Sequence, residues 1–192
     1  MHKGDFVGEI VKLQVQRVPI KVKGEGYFTQ GIQPVERAVV DASGMLGWYE
    51  GAWVVDAHHV VHPSSRGGGR RPLSVGFTGH YAVMAGRFGA APVGIAGENI
   101  IIDGPALWLS DLAEGLVIEA ASGVLWLERP RVAAPCAEFA SFMLGLDAVA
   151  PRTEIEDAMA DLHDGRRGFI VAVDLASRPV ELNRGDKVYL AR

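Results

Sequence analysis

The sequence predicts a mainly β (α+β) fold: a closed or partly open β-barrel with about three short inserted helices. Three observations lead there. Short runs rich in β-branched residues recur along the chain and are bounded by glycine. Helical periodicity is confined to a few short stretches that do not alternate regularly with the strands, which argues against a doubly wound parallel sheet. No internal repeat, low-complexity tract or linker divides the chain, so residues 1–192 are expected to form one domain, long enough to bury a substantial core.

The elements follow in order. Residues 8–18, around "EIVKLQVQRV", alternate apolar and polar side chains and read as a half-buried strand, with Ile10 and Lys12 opposed to Val11, Leu13 and Val15. The runs "ERAVVDAS" (36–43) and "AWVVDAHHVVH" (52–62) read as further strands, and "PSSRGGGRRP" (63–72) as a loop. "TGHYAVMAGRFG" (78–89) predicts a helix: Thr78 stands at a capping position, Gly89 ends it, and Tyr81, Met84, Ala85 and Phe88 form one apolar stripe. "GIAGENIIIDGP" (94–105) is a glycine-rich turn feeding a strand. Strands are expected near 107–109, 116–121 and 123–128. "AEFASFML" reads as a short helix, and "TEIEDAMADLHDG" (153–165) as another, with Thr153 and Glu156 at capping-box spacing. "GFIVAVD" and "DKVYLA" complete a set of roughly eight or nine strands.

Composition narrows the function. An apolar fraction of 48% and a charged fraction of 22% are those of a soluble globular protein. The net charge of −4 gives no bulk attraction to nucleic acid or anionic lipid, so neither is expected as a partner. A single cysteine makes no internal disulfide and fits a reducing compartment. "MHKGDFVGEI" lacks the apolar region of a secretory signal, and no apolar run reaches the roughly 18 residues that span a membrane. A cytoplasmic protein is expected. Arginine supplies 14 of the 19 basic residues, which reflects either codon bias or the gripping of a planar or phosphorylated anion by guanidinium groups.

Four stretches hold reactive groups. "ERPRVAAPC" ends in Cys136, the lone thiol, beside Pro135 and after Arg129 and Arg131. Nearby positive charge favours the thiolate, which is both a nucleophile and a soft metal ligand, whereas a buried free cysteine is simply a small hydrophobe. "AGENI" offers Gly97 for an unusual backbone conformation, Glu98 as an acid or acceptor and Asn99 as donor and acceptor, or else a plain polar turn. "HHVVHP" places His58 and His62 on one face of a strand and His59 on the other. A metal site there needs a further ligand from His80 or His163, so His58, His62 and His80 are better read as surface or pocket-lining histidines. "SRGGGRR" sets Arg66, Arg70 and Arg71 on a glycine loop, a phosphate-binding chemistry without the Gly-Lys-Ser/Thr of a P-loop, or else a solvated basic loop.

Taken in order, "AGENI" (96–100), "EGLVIEAASG" (114–123), "RPRVAAPC" (129–136), "HDGRRGFIVAV" (163–173) and "NRGDKVYL" (183–190) resemble the MOSC domain, the C-terminal domain of molybdenum-cofactor sulfurases, over roughly residues 8–192. The resemblance implies a barrel-like fold and a lone cysteine that does chemistry. That cysteine either ligates the molybdenum of a pterin cofactor or carries sulfur as a persulfide. It implies Cys136 as catalytic residue and molybdenum ligand, and Gly97, Glu98 and Asn99 as a turn lining the pocket. Arg129 or Arg131, and more loosely Arg66, Arg70 and Arg71, would hold the cofactor's phosphate, while Arg167 would be structural. Two departures stand out: "VAA" lengthens the segment between Arg131 and Pro135, and the acidic partner of an early Gly-Asp…His element is missing. Three functions are thereby in view. One is a molybdenum-pterin oxidoreductase reducing N-hydroxylated or N-oxide small molecules, served by an electron-donor protein. The others are a sulfur carrier served by a sulfur-donor protein, and a non-catalytic small-molecule-binding module.

Overall fold

A computed structural model describes residues 2–65, 73–146, 152–174 and 178–192. Among these residues fourteen strands run in chain order: β1 (Lys3–Gln16), β2 (Lys21–Val22), β3 (Gly26–Tyr27), β4 (Ile32–Val35), β5 (Arg37–Asp41), β6 (Gly44–Tyr49), β7 (Ala52–Val55), β8 (Leu73–Phe77), β9 (Ile100–Asp103), β10 (Leu116–Ala120), β11 (Gly123–Val132), β12 (Phe169–Val173), β13 (Val180–Asn183) and β14 (Lys187–Ala191). Three α-helices interrupt them, α1 (Thr78–Phe88), α2 (Ala137–Met143) and α3 (Arg152–Asp161).

Seven strands close a barrel. The order β14-β10-β11-β12-β8-β9-β1 returns to its start because β1 also pairs with β14, and β4 is added to the outer end of β1. Closure removes the exposed edges that an open sheet of this length would carry. Every pairing in the barrel is antiparallel except β8 with β9. A parallel pair requires a crossover of a dozen or so residues, and α1 with the turn after it supplies this one. A second sheet, β13-β5-β6-β7, contributes Ala38, Val40, Met45, Val180 and Leu182 to the barrel core.

The mainly β barrel with three helices is the predicted fold, and its departures have physical causes. Simple alternation in β1 sets Ile10 and Leu13 on opposite faces, yet both are 1% exposed. A bulge between Ile10 and Lys12 in the pairing with β9 resets the register by one residue and turns both inward. The strand expected over 52–62 ends at Val55, because the Asp56 carboxylate accepts the His58 N–H at 2.8 Å and folds the chain into turns. Residues 107–109 form no strand. Asp111 accepts the Trp108 N–H at 2.7 Å, making a turn that drives the fully buried Leu112 into the barrel core. Thr153 lies inside the first turn of α3 and so does not cap it. Thr78 does not cap α1 either; its hydroxyl donates to Asp103 at 2.8 Å and ties the start of the helix to the end of β9. Sequence reading passed over β4, β6, β8, β13 and the small β2-β3 hairpin.

A second apolar cluster lies outside the barrel. Ile20, Tyr27, Tyr81, Met84, Phe139, Met143, Ile155 and Leu162 gather the β2-β3 hairpin and the three helices around the turn before β9, and Cys136 packs against this group. No helix among the described residues is long and apolar enough to cross a membrane.

Phe169, fully buried with its ring edge-on to Phe77 at 6.3 Å, is a test of the barrel core. Phe169→Ala is expected to cost about 3–5 kcal/mol, read by urea unfolding. Val61→Ala, at a site 69% exposed, should change stability by no more than about 0.5 kcal/mol.

Candidate functional site

Cys136 stands at the junction of β11 and α2. Its backbone is extended (φ −129°, ψ 159°) and its carbonyl accepts the Ala140 N–H at 2.9 Å, so it occupies the N-cap position of α2. The preceding Pro135 is buried and fixes one torsion beside the thiol. Two hydrogen bonds hold the connecting segment: the Ala133 N–H donates to the Gly168 carbonyl at 3.1 Å, and Arg167 Nη1 donates to the Ala134 carbonyl at 3.0 Å. The thiol is half-buried.

Arg167 reaches this junction through the Ala134 carbonyl. Its guanidinium lies over the Phe139 ring, 4.9 Å from the centroid, a favourable stacking for a delocalised cation. It also sits beside the Tyr27 hydroxyl, whose pKa is raised by burial while Arg167 acts in the opposite sense. Arg167 Nε is buried and has no hydrogen-bond partner among the described residues. Glu138 also lies beside the thiol. Burial pushes this carboxyl up, but its own N–H, the Gly24 N–H at 3.3 Å and the Cys136 thiol together bring it below its ordinary value.

The Gly97-Glu98-Asn99 turn points inward. Gly97 has φ +86°, and a Cβ there would lie 2.4 Å from Ile20 Cδ1 and 2.8 Å from Gln16 Nε2, so the position requires glycine on two counts. Asn99 is 1% exposed and fully engaged. Its Oδ1 accepts the Ser74 N–H and hydroxyl at 3.0 and 2.9 Å, and its Nδ2 donates to Asp56 Oδ2 at 2.9 Å. That same buried Asp56 oxygen accepts the Gln16 N–H at 2.7 Å. Glu98 is 2% exposed, with the Tyr81 hydroxyl 2.9 and 2.8 Å from its two oxygens. Burial pushes its carboxyl up to about 7, against the pull of Tyr81, Arg167 and Lys12.

The other predicted residues are more dispersed. Arg129 and Arg131 are exposed on β11, flanking a bulge at which Arg129 adopts φ +48°. Arg66, Arg70 and Arg71 lie outside the described residues. The histidines at 58, 59 and 62 stand on successive turns where a strand was expected, because the chain leaves β7 at Asp56. His58 Nδ1 is 3.0 Å from Asp56 Oδ1, and His62 Nδ1 is 2.8 Å from the Ser64 hydroxyl. His80 is 1% exposed, between Phe77 and Phe169, with Nε2 2.7 Å from the Leu107 carbonyl. Burial lowers its pKa. Tyr27 and Asp56 were not singled out from sequence, Tyr81 entered only as part of the α1 stripe, and Arg167 was given only a structural part there. The one available signal was the glycine on either side of the paired arginines in "GRRG", which marks a turn but not its neighbours.

The raised Glu98 pKa has a consequence for stability. A carboxyl held up to about 7 in the folded chain, against an ordinary 4.5, favours folding below the ordinary value, and that advantage is lost as pH rises through 7. The stability of the native chain minus that of Glu98→Gln should therefore fall between pH 5 and 8. Urea unfolding at several pH values measures it, and a difference that is constant or rises with pH contradicts the burial argument.

No protein-family model matches this sequence, and no curated protein matches it either. Solved structures do. The YUAD protein from Bacillus subtilis superposes with a TM-score of 0.58 at 15% identity, covering 97% of each chain. A hypothetical protein of known crystal structure gives 0.56 at 17% identity, over 97% of this chain and 70% of that one. YiiM from Escherichia coli gives 0.50 at 17% identity, over 96% of this chain and 70% of that one. At such identities the likeness is one of fold, and this chain shares the barrel of these proteins.

Proposed function

We propose that this chain is a MOSC-like protein that binds a molybdenum-pterin cofactor through Cys136 and acts as an oxidoreductase on N-hydroxylated or N-oxide small molecules. Two things support the reading: the five motifs in MOSC order, and a barrel shared with the YUAD protein and YiiM. The observation that carries it is the position of the only cysteine, half-buried at the start of α2 with the Arg167 guanidinium fixed on the Ala134 carbonyl two residues before it.

The residues fit such a group by their chemistry. A thiolate is a soft, strongly donating ligand suited to molybdenum. The buried Arg167 Nε is a donor with no acceptor among the described residues, and an arginine fork suits a phosphate or another planar anion. When bound, the cofactor would supply the electron chemistry. The chain's own part is to present and orient. Pro135 and the N-cap geometry limit the directions open to the thiol, and the Phe139 ring supports the guanidinium from below. Glu138 is an acceptor for the thiol proton when no metal is bound. Exposed Arg129 and Arg131, with Arg66, Arg70 and Arg71, are the further candidates for the anionic end of the cofactor. One cysteine cannot ligate an iron–sulfur cluster in this chain, so electrons would come from a partner protein.

Expression in a host that makes the cofactor, followed by molybdenum and pterin analysis of the purified protein, tests the reading. Near-stoichiometric molybdenum and pterin are expected in the native protein. Cys136→Ala should lose the metal while keeping its unfolding midpoint, and Arg167→Met should retain less pterin. Native protein free of molybdenum but carrying cyanide-labile sulfur on Cys136 would overturn the reading in favour of a sulfur carrier.

A further inference from the structure

Helix α1 and the turn that follows α3 enclose a cleft of about 200 Å³. None of its lining residues was assigned to the thiol site above. Val83, Met84 and Phe88 of α1 give it an apolar wall, with Val83 left 42% exposed. Arg87, Asp161 and Arg166 supply the polar part. Arg87 Nε donates to Asp161 Oδ2 at 2.8 Å, and Arg166 Nη1 donates to the Asp161 carbonyl. Among the lining residues two guanidinium groups thus stand against a single carboxylate, and the balance is positive.

Two further observations point to an occupant. Arg166 is incompletely partnered: its Nε is buried with no acceptor among the described residues, which costs free energy until an acceptor is supplied. Its guanidinium carbon lies 5.9 Å from the centre of the Trp108 ring, within reach of a cation–π contact that steadies the fork. The second observation is Gly86. It lines the cleft from the interior of α1, where glycine disfavours the helix relative to alanine. No atom from elsewhere in the chain lies within 4 Å of the place a Cβ would take, and its φ is not positive. Neither packing nor backbone conformation requires glycine there. What the missing side chain leaves is room in the cleft.

We propose that this cleft binds a small organic monocarboxylate, its carboxylate taken by Arg166 and its apolar body seated over Gly86 against Val83, Met84 and Phe88. Volume sets the size. An apolar cavity of roughly 150 Å³ holds one benzene ring, so this cleft suits a single ring or a short chain bearing one carboxylate. Charge sets the class. The surplus guanidinium matches a monoanion, whereas the Asp161 carboxylate opposes the second charge of a phosphate monoester. A neutral molecule would leave the Arg166 donor without a charged acceptor. The site needs neither Cys136 nor a metal.

Benzoate is the probe. Sodium benzoate is titrated into the native chain at constant ionic strength and followed by amide proton–nitrogen NMR, which reports Gly86, Arg87 and Arg166 separately from the residues around Cys136. Saturable shifts at these three amides are expected, while benzamide at the same concentrations leaves them in place. Gly86→Leu, at an exposed position with open space around it, should fold and lose the shifts at Arg87 and Arg166. Arg166→Met should bind benzoate about tenfold less tightly, the usual worth of a charge-assisted hydrogen bond. Absence of saturable shifts overturns the proposal, as does full benzoate binding by folded Gly86→Leu or tighter binding of phenyl phosphate than of benzoate. Should Gly86→Leu not fold, the neutral analogue decides: benzamide bound as tightly as benzoate overturns it. Molybdenum plays no part in the measurement, so its outcome is separable from that of the cofactor reading.

Discussion

Strand β1 carries two obligations at once. Along its fourteen residues it pairs with β14, then β9, then β4, and its pairing with β14 turns an eight-stranded sheet into a closed barrel. A straight strand could not serve all three neighbours. The bulges at Lys3/Phe6, Phe6/Gly8 and Ile10/Lys12 bend it and keep Ile10, Leu13 and Val15 facing the core. Its last residues then hold the 94–99 turn: Gln14 Nε2 donates to the Gly94 carbonyl at 2.7 Å and Gln16 Nε2 to the Gly97 carbonyl at 2.8 Å. Barrel closure and the base of the thiol site thus depend on the same segment of chain.

Polar burial follows from that arrangement. Asn99, Asp56, Gln14, Gln16 and Glu98 are all at most 7% exposed, a concentration that would be costly without partners. Asp56 and Asn99 answer one another and the backbone of β1, so the cost is met by directional bonds that also fix register. Glu98 is different. Its partner is a phenol, burial dominates its titration, and the cations near it are bound elsewhere.

The fold was legible in the sequence because strand composition and glycine punctuation are local signals. The apolar stripe of α1 was legible too: Tyr81 and Met84 face the second cluster as the spacing predicts. The direction of the glycine-asparagine turn was not. A positive φ at Gly97 follows from its sequence, but the inward orientation of Glu98 and Asn99 is set by Asp56, Ser74 and Gln16, each distant in sequence. The same reason explains the arginines. Arg129 and Arg131 are near Cys136 along the chain yet exposed on β11, whereas Arg167 meets the Ala134 carbonyl across a separation of 33 residues. For the histidines, β-branched neighbours pointed to a strand, and a single aspartate at 56 ended it.

Cys136 is the group on which the functional account turns, and its accessibility in loaded protein is the most direct probe. Protein reconstituted with the molybdenum-pterin cofactor, treated with iodoacetamide and weighed intact by mass spectrometry, should remain unmodified at Cys136 while the cofactor-free chain takes up one label. Equal labelling of the two, with the cofactor still bound, would show that the thiol is not the ligand and would contradict the account.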